Sequence, residues 1–144
     1  MNFLPTLKEL VRTYQAFEDY SAPHLRSLGL TPVQFDVIAT LGNQPPMTFK
    51  QLGEKTLISK SSLTGVIDRM SQKGMLSLFE NEADARSQKI QLTLKGQKIF
   101  DKVFASHLQY LGNAFEQLSE TQLKEIQASL EQLKAIFINP LNTR

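Results

Sequence analysis

Small hydroxyl and basic side chains gather near the middle of the chain, on a stretch with helical periodicity. Lys60, Ser61, Ser62, Thr64 and Gly65 all fall outside the apolar stripe of that stretch. Short hydroxyl groups and glycine allow a backbone to approach base edges and phosphates closely, and a lysine meets a phosphate as a point charge. These residues suit contact with a nucleic acid, although an ordinary solvated helix face has the same composition.

A second polar segment, Glu80–Ser87, separates two short stretches in which apolar residues alternate. Arg86 lies near the expected tip of this loop, where a guanidinium can enter a minor groove. Asp84 is expected to orient Arg86 through a charged hydrogen bond, and Lys89 is either a phosphate contact or an outward strand residue. The alternative for this segment is a surface turn with a weak ion pair, which contributes about 0–1 kcal/mol.

Two helices are predicted to position the first group of residues. Thr48 begins one of them with a Thr-x-x-Gln capping box, and we expect Phe49, Leu52 and Leu57 to face inward. Ser59 is the expected N-cap of the other helix. Its apolar stripe, with the spacing i, i+3, i+4, i+7, comprises Leu63, Val66, Ile67 and Met70.

A hairpin is predicted to follow these helices. Gly74 suits the end of the second helix, after which Leu76 and Leu78 share one face of a strand. Ile90 and Leu92 share one face of the next strand. The predicted order is a helix–turn–helix followed by a β-hairpin wing, an arrangement that addresses both grooves of DNA.

Further helices are predicted on both sides of this segment. Before it, one helix runs from about Pro5 to Leu28 with Pro23 as a kink or break, and a capping box at Thr31 opens another. After it, Thr93 caps a helix. Its residues expected to face inward are Ile99, Phe100, Val103, Phe104, His107, Leu108 and Leu111.

A capping box at Ser119 opens the last predicted helix, which ends at Asn139-Pro140. Its apolar residues at helical spacing are Leu123, Ile126, Leu130, Leu133 and Phe137. The fold class expected is therefore mainly α with a small β-hairpin wing. Long apolar faces at both ends of the chain most simply bury one another across a two-fold axis, which favours a homodimer over packing within one subunit.

Composition excludes several classes of protein. Hydrophobic residues make up 41% and charged residues 21% of the 144, which suits one packed domain. No apolar stretch reaches the roughly 20 residues of a membrane span, and the N-terminus lacks a secretion signal, so we expect a cytoplasmic protein without membrane contact. The absence of cysteine excludes disulfides and thiolate metal sites.

The net charge of +2 is too small to indicate nucleic-acid binding, but its distribution is uneven. Residues 46–100 hold nine Lys/Arg against five Asp/Glu, whereas residues 1–45 and 101–144 each carry a net charge of −1. Positive charge therefore lies on the segment whose pattern indicates DNA contact, although a mildly basic surface strip is the simpler reading.

No catalytic, cofactor or metal site is predicted. Serine, histidine and aspartate occur, but not in a Gly-x-Ser-x-Gly setting, and no glycine-rich loop suits a phosphate. The two histidines lie far apart in the sequence and lack an HExxH spacing, so they are poor metal ligands. A small helical enzyme is the least favoured class.

A pocket for a small effector is expected where the first, second and fifth helices meet. Aromatic walls with a few polar groups suit an aromatic or lipophilic ligand. The residues expected to line it are Tyr14, Phe17, His24, Arg26, Phe35, Ile38, Phe104 and His107. Core packing is the alternative for the apolar members, and structural hydrogen bonding is the alternative for the histidines.

The segment from Ser62 to Gly96 resembles the MarR (multiple antibiotic resistance regulator) family. The residues that carry the resemblance are Leu63, Thr64, Asp68-Arg69-Met70, Lys73-Gly74-Met75, Asp84-Ala85-Arg86 and Leu92-Thr93-Leu94-Lys95-Gly96. The order of helices resembles the family over almost the whole chain.

The resemblance implies a winged-helix homodimer in which residues 30–96 bind DNA and residues 1–29 and 97–144 form the dimerisation helices. It implies a repressor of pseudo-palindromic operators that a small, often aromatic or phenolic, effector releases. The residues that it places on the DNA are Ser61, Ser62, Thr64 and Gly65 in the major groove and Asp84 and Arg86 in the wing. A winged-helix protein-interaction module that does not bind DNA is the alternative.

Two departures from the family pattern concern the wing. Leu78 and Phe79 stand where the family often has an arginine after the turn, and Ala85 stands where a second wing arginine is common. Three carboxylates also precede Arg86 and make the loop acidic. We therefore expect fewer phosphate contacts from this wing, and a contribution that depends more on groove shape.

Overall fold

The computed structural model describes residues 1–139 and 141. The elements in chain order are α1 (Leu4–Ser27), α2 (Pro32–Leu41), β1 (Met47–Thr48), α3 (Phe49–Lys55), α4 (Lys60–Gln72), β2 (Leu76–Asn81), β3 (Asp84–Leu92), α5 (Leu94–Phe115) and α6 (Glu120–Phe137). The expected fold class, mainly helical with a small β-hairpin, is confirmed. Pro140, the second residue of the predicted stop after the last helix, lies outside the described residues.

Capping boxes begin α2, α3 and α6, as the sequence predicts. Thr31, Thr48 and Ser119 each accept a hydrogen bond from the backbone N–H three residues later, and a glutamine side chain accepts one from the N-cap amide in return. Each box satisfies two backbone donors that a helix start leaves unpaired. Gly74, just after α4, has φ +77°, the left-handed conformation in which glycine closes a helix without a steric penalty.

Two local predictions are wrong and one is narrowed. Of the kink or break predicted at Pro23, the break does not occur, because α1 continues to Ser27. Leu57 is 83% exposed rather than inward, since Thr56 is extended and ends the periodicity of α3 before Leu57 is reached. Leu108 is also exposed, because it follows the buried His107 and so points about 100° away from the buried side of α5.

The three strands form one antiparallel sheet in the order β1-β3-β2. Leu76 pairs with Leu92 and Leu78 pairs with Ile90, so the two predicted apolar strand faces form a single face of the sheet. The two-residue strand β1, which the sequence pattern did not predict, adds Met47 opposite Ile90. Ile90 is fully buried at the centre of this face.

The chain forms two compact units, residues 1–108 and residues 109 onward. The buried apolar core belongs to the first unit and draws on α1, α2, α3, α4, the sheet and the start of α5. In the second unit, α6 has no buried residue. Across residues 1–139 and 141, we find no helix with the length and apolar character that a membrane crossing requires.

Candidate nucleic-acid interface and histidine cluster

α4 buries one side and exposes the other. The predicted stripe is confirmed, since Leu63, Val66, Ile67 and Met70 are all buried. The outward residues are Lys60, Ser61, Ser62 and Thr64, which are exposed, and Gly65, which is partly buried. A helix needs this division to be anchored in a domain while it offers polar groups to a groove.

The serines at the start of α4 bond to one another. Ser59 is the N-cap, as predicted, but its side chain makes no capping hydrogen bond. Its Oγ instead donates to Ser62 Oγ at 3.0 Å and lies 3.3 Å from Ser61 Oγ. The first turn of α4 therefore presents hydroxyl groups beside backbone N–H groups that no side chain of the described residues caps, and both are donors that suit phosphate oxygens.

Asp36 on α2 holds the turn that leads into α4. Its Oδ2 accepts a hydrogen bond from the backbone N–H of Leu57 at 2.8 Å. Burial raises the pKa of the Asp36 carboxyl, and the hydrogen bond from Leu57 acts in the opposite direction. The preceding residue, Thr56, donates its Oγ1 to the carbonyl of Leu52, so the first two residues after α3 are both held.

The wing is longer and its loop is shorter than the sequence predicts. Strand pairing continues to Asn81 and resumes at Asp84, so most of the predicted loop Glu80–Ser87 is strand. Side chains shape the tip: Asn81 Oδ1 accepts from the amide of Ala83 at 3.1 Å, and Asn81 Nδ2 donates to Ser87 Oγ at 3.0 Å.

Asp84 and Arg86 are joined in a different way from the one predicted. Asp84 Oδ1 accepts a hydrogen bond from the backbone N–H of Arg86 at 3.0 Å, and no bond to the guanidinium occurs within the described residues. An Asx turn of this kind orients the backbone at Arg86 and leaves its side chain free. Arg86 is exposed, whereas Lys89 further along β3 is partly buried.

The base of the wing is attached to α5 through Thr93 and Gly96. Thr93 Oγ1 accepts the amide of Gly96, as a predicted N-cap should, and also donates to the carbonyl of Gly74 at 2.5 Å. A Cβ on Gly96 would lie 2.2 Å from the carbonyl oxygen of Met75. Only glycine allows this approach, which joins the end of α4, the wing and α5.

A buried histidine, His107 on α5, lies between two side chains of α1. Its Nδ1 lies 2.9 Å from His24 Nδ1, and its Nε2 lies 3.0 Å from Ser21 Oγ. The two imidazoles stack with ring centroids 5.2 Å apart. Burial, followed by the charge of His24, lowers the pKa of His107, so the neutral imidazole is favoured.

A chain of aromatic contacts starts at this pair. Phe35 on α2 meets His107 edge-on with centroids 4.7 Å apart, and Phe104 stacks on Phe100 at 4.8 Å. Phe35 and Phe104 lie 6.5 Å apart. Four of the eight predicted pocket residues are thus neighbours: His24, Phe35, Phe104 and His107.

The other four predicted pocket residues differ in burial. Ile38 is almost fully buried in the core, whereas Tyr14, Phe17 and Arg26 are exposed on α1. Sequence reasoning missed Ser21 and Asp36. Ser21 precedes His24 by three residues, a helical spacing that indicates a shared face, but nothing local to Asp36 indicates its bond to a residue 21 positions away.

The segment that contains these features matches a known family. A model of the MarR family matches residues 28–87. The HTH-type transcriptional regulator MhqR of Bacillus subtilis is 29% identical over 130 residues, which cover 90% of this chain and 88% of MhqR. The homoprotocatechuate degradative operon repressor of Escherichia coli is 27% identical over 135 residues, which cover 94% of this chain and 88% of the repressor.

Solved structures share the fold at lower identity. Sco3205, a MarR family transcriptional regulator from Streptomyces coelicolor in complex with DNA, gives a TM-score of 0.85 at 18% identity and covers 97% of this chain and 90% of its own. Bordetella bronchiseptica BpsR comes from a structure concerned with regulation of its DNA binding by 6-hydroxynicotinic acid. It gives a TM-score of 0.78 at 22% identity, and the match covers 90% of this chain and 98% of the BpsR chain.

Proposed function

We propose that this chain, which a MarR family model matches over residues 28–87, is a DNA-binding transcriptional repressor of that family that a small molecule releases from its operator. The observation that carries the proposal is the outward side of α4, where hydroxyl groups and Lys60 lie opposite a fully buried stripe. The role is regulatory rather than enzymatic, in keeping with the relatives, and it is exercised in the cytoplasm. Residues 30–96 form the DNA-binding region.

Two parts of this region contact DNA in different ways. Ser61, Ser62, Thr64 and Gly65 face base edges and phosphates of the major groove, with Lys60 on the phosphate backbone. The wing carries Arg86 into the adjacent minor groove, Asp84 fixes the backbone from which Arg86 extends, and Lys89 meets a phosphate.

A homodimer presents two copies of this surface. Large apolar side chains remain exposed along α1, α5 and α6, among them Val11 at 47% and Leu130 at 51%. Apolar surface of this extent seldom faces water in a stable protein, and residues 1–29 and 97–144 are the segments that pair across the two-fold axis. The two α4 helices then reach half-sites of a pseudo-palindrome about 34–36 Å apart.

The effector binds at the histidine cluster. His24, His107 and Ser21 supply donors and acceptors beside the rings of Phe35 and Phe104, which suits a hydroxylated aromatic acid. Homoprotocatechuate in the name of the Escherichia coli relative and 6-hydroxynicotinic acid in the BpsR structure are compounds of this class. Tyr14, Phe17, Arg26 and Ile38 remain predicted members of the pocket.

Selection of duplexes from a randomised pool, followed by fluorescence anisotropy, tests the DNA-binding part of the proposal. We expect a pseudo-palindromic consensus and an affinity that falls with salt, with a log–log slope of about −0.9 for each phosphate contacted. Failure to retain any duplex at low salt would overturn the proposal. Homoprotocatechuate and 6-hydroxynicotinic acid then serve as probes, and at least one should raise the melting temperature and weaken duplex binding.

A further inference from the structure

Arg69 lies on the exposed side of α4, one turn after Gly65. Its guanidinium folds back over that glycine: a Cβ built on Gly65 would lie 3.1 Å from Nη1 and 3.7 Å from both Cζ and Nη2. Helix side chains lean toward the N-terminus, so this direction brings the guanidinium toward the hydroxyl-bearing first turns of α4.

The guanidinium of Arg69 has no partner in its own chain. Within residues 1–139 and 141 it makes no hydrogen bond and no ion pair, although Asp68 is its neighbour in sequence. All five of its N–H donors are therefore available in one plane. A planar fork of this kind matches O6 and N7 of guanine, and arginine to guanine is the commonest specific contact in the major groove.

We propose that Arg69 reads a guanine in the major groove, once in each half-site, and that residue 65 is glycine because it leaves room for that guanidinium. The inference rests on the DNA-binding function proposed above. It assigns base specificity in α4 to a residue other than the hydroxyl-bearing residues Ser61, Ser62 and Thr64. A Cβ at position 65 would lie 3.1 Å from Nη1, which is tighter than nine in ten real Cβ contacts, so the guanidinium has to move by a few tenths of an ångström.

Two other roles for these residues make different predictions. If Arg69 meets a phosphate, its loss weakens binding to all sequences alike and lowers the salt slope by about 0.9. If Gly65 serves only to let DNA approach the α4 backbone, a methyl group there acts directly on the DNA and independently of Arg69.

The experiment is a double-substitution cycle with Arg69→Ala, Gly65→Ala and the combined variant, each used as the full-length chain. Neither substitution threatens α4, since alanine has a higher helix propensity than glycine and Arg69 is exposed. Duplex selection should show that Arg69→Ala loses the preference for guanine at one position per half-site. On the wild-type consensus, replacement of that guanine should cost the wild-type protein roughly 5- to 150-fold in affinity and the variant almost nothing.

Gly65→Ala should weaken consensus binding more when Arg69 is present than in the Arg69→Ala background, where only the direct approach of Gly65 to the DNA is affected. Arg86→Ala is the matched control: it removes an exposed arginine from the wing and should weaken operator binding as a whole, yet leave the preference for guanine at that position intact. A uniform loss with an unchanged consensus in Arg69→Ala, or an equal effect of Gly65→Ala in both backgrounds, would overturn the inference. A wild-type chain that retains no duplex would overturn the proposed function itself, which is a separate result.

Discussion

Asp36 Oδ2 accepts the backbone N–H of Leu57 at 2.8 Å, so a carboxylate of α2 holds the turn from which α4 begins. The preceding residue of α2, Phe35, meets the ring of His107 with centroids 4.7 Å apart. Two adjacent residues thus connect one short helix to the histidine cluster and to the turn before α4, the helix proposed to bind DNA. We expect a displacement at the cluster to be passed to α4 through α2, since α2 contacts both.

The first prediction concerns the charge of Asp36. Burial raises the pKa of its carboxyl in the folded state, so the folded protein holds this proton more tightly than the unfolded chain. The stability contributed by this group is therefore greatest at acid pH and falls as the pH rises above about 4, the unfolded value. Asp36→Asn keeps an oxygen for Leu57 without the charge, and should be at least as stable as wild type at pH 7 in urea unfolding.

The control for this prediction is the same measurement near pH 3, where the advantage of Asp36→Asn should vanish. Asp36→Ala removes the acceptor altogether and should weaken operator binding by about 0.5–1.5 kcal/mol, the net worth of one hydrogen bond, whereas Asp36→Asn should bind as wild type does. Equal DNA affinities for the alanine and asparagine variants would show that the Leu57 contact does not position α4.

The second prediction concerns the buried histidine. Burial and the nearby His24 lower the pKa of His107 in the folded state, so the unfolded chain binds this proton more readily. Stability should fall as the pH drops through about 6.5, the unfolded value, toward the lower folded value, and be fully present above it. Melting temperatures should be measured for wild type and His107→Gln between pH 5 and pH 8. The loss of stability toward acid pH that His107 causes should occur in wild type and be absent from His107→Gln.

Ser21→Ala distinguishes the effect of His107 protonation from the effect of the hydrogen bond between Ser21 and His107. It removes the partner of His107 Nε2 but leaves the imidazole, so the variant should be less stable at every pH while it keeps the wild-type pH dependence. Parallel pH profiles for wild type and His107→Gln would count against a role for His107 in the acid response.

What the sequence predicts well here is local. The stripe Leu63, Val66, Ile67 and Met70 and the capping box at Thr48 depend on spacings within one or two helical turns, and both occur as expected. The contact of Ser21 with His107 joins residues 86 positions apart, and no local pattern indicates it. The sequence therefore predicted some neighbours in the histidine cluster, such as His24 and His107, but not Ser21.

The wing shows why a polar composition can make strand residues of a hairpin look like a loop. Glu80 and Gln88 are paired strand residues, yet both are exposed and polar, so the alternation that marks a half-buried strand is absent. Near its tip the ribbon buries the polar Asn81 rather than an apolar side chain, so its extent depends on backbone pairing and on the side-chain bonds of Asn81. The interaction of Asp84 with an amide rather than with the guanidinium was likewise not indicated by residue type.

The third prediction concerns the apolar face of α1. Val11 is 47% exposed in one subunit, and we expect it to be covered in the dimer. Val11→Glu would bury a carboxylate there and should shift the protein to monomer in sedimentation equilibrium, with operator affinity reduced at least about tenfold as the second half-site is lost. Thr13→Glu is the matched control, because it adds the same charge on the exposed opposite side of α1 and should leave the dimer intact.

The fourth prediction concerns the tip of the wing. Arg86 is exposed, and Asp84 orients its backbone rather than its guanidinium, so Arg86→Ala should leave the hairpin and the dimer unchanged. Operator binding should weaken by about 1–3 kcal/mol, most strongly on sites whose flanks have the narrow minor groove of A-tracts. Lys89→Ala should instead weaken all duplexes alike and reduce the salt slope by about 0.9. If Arg86→Ala behaves as Lys89→Ala does, the wing contributes charge but does not read groove shape.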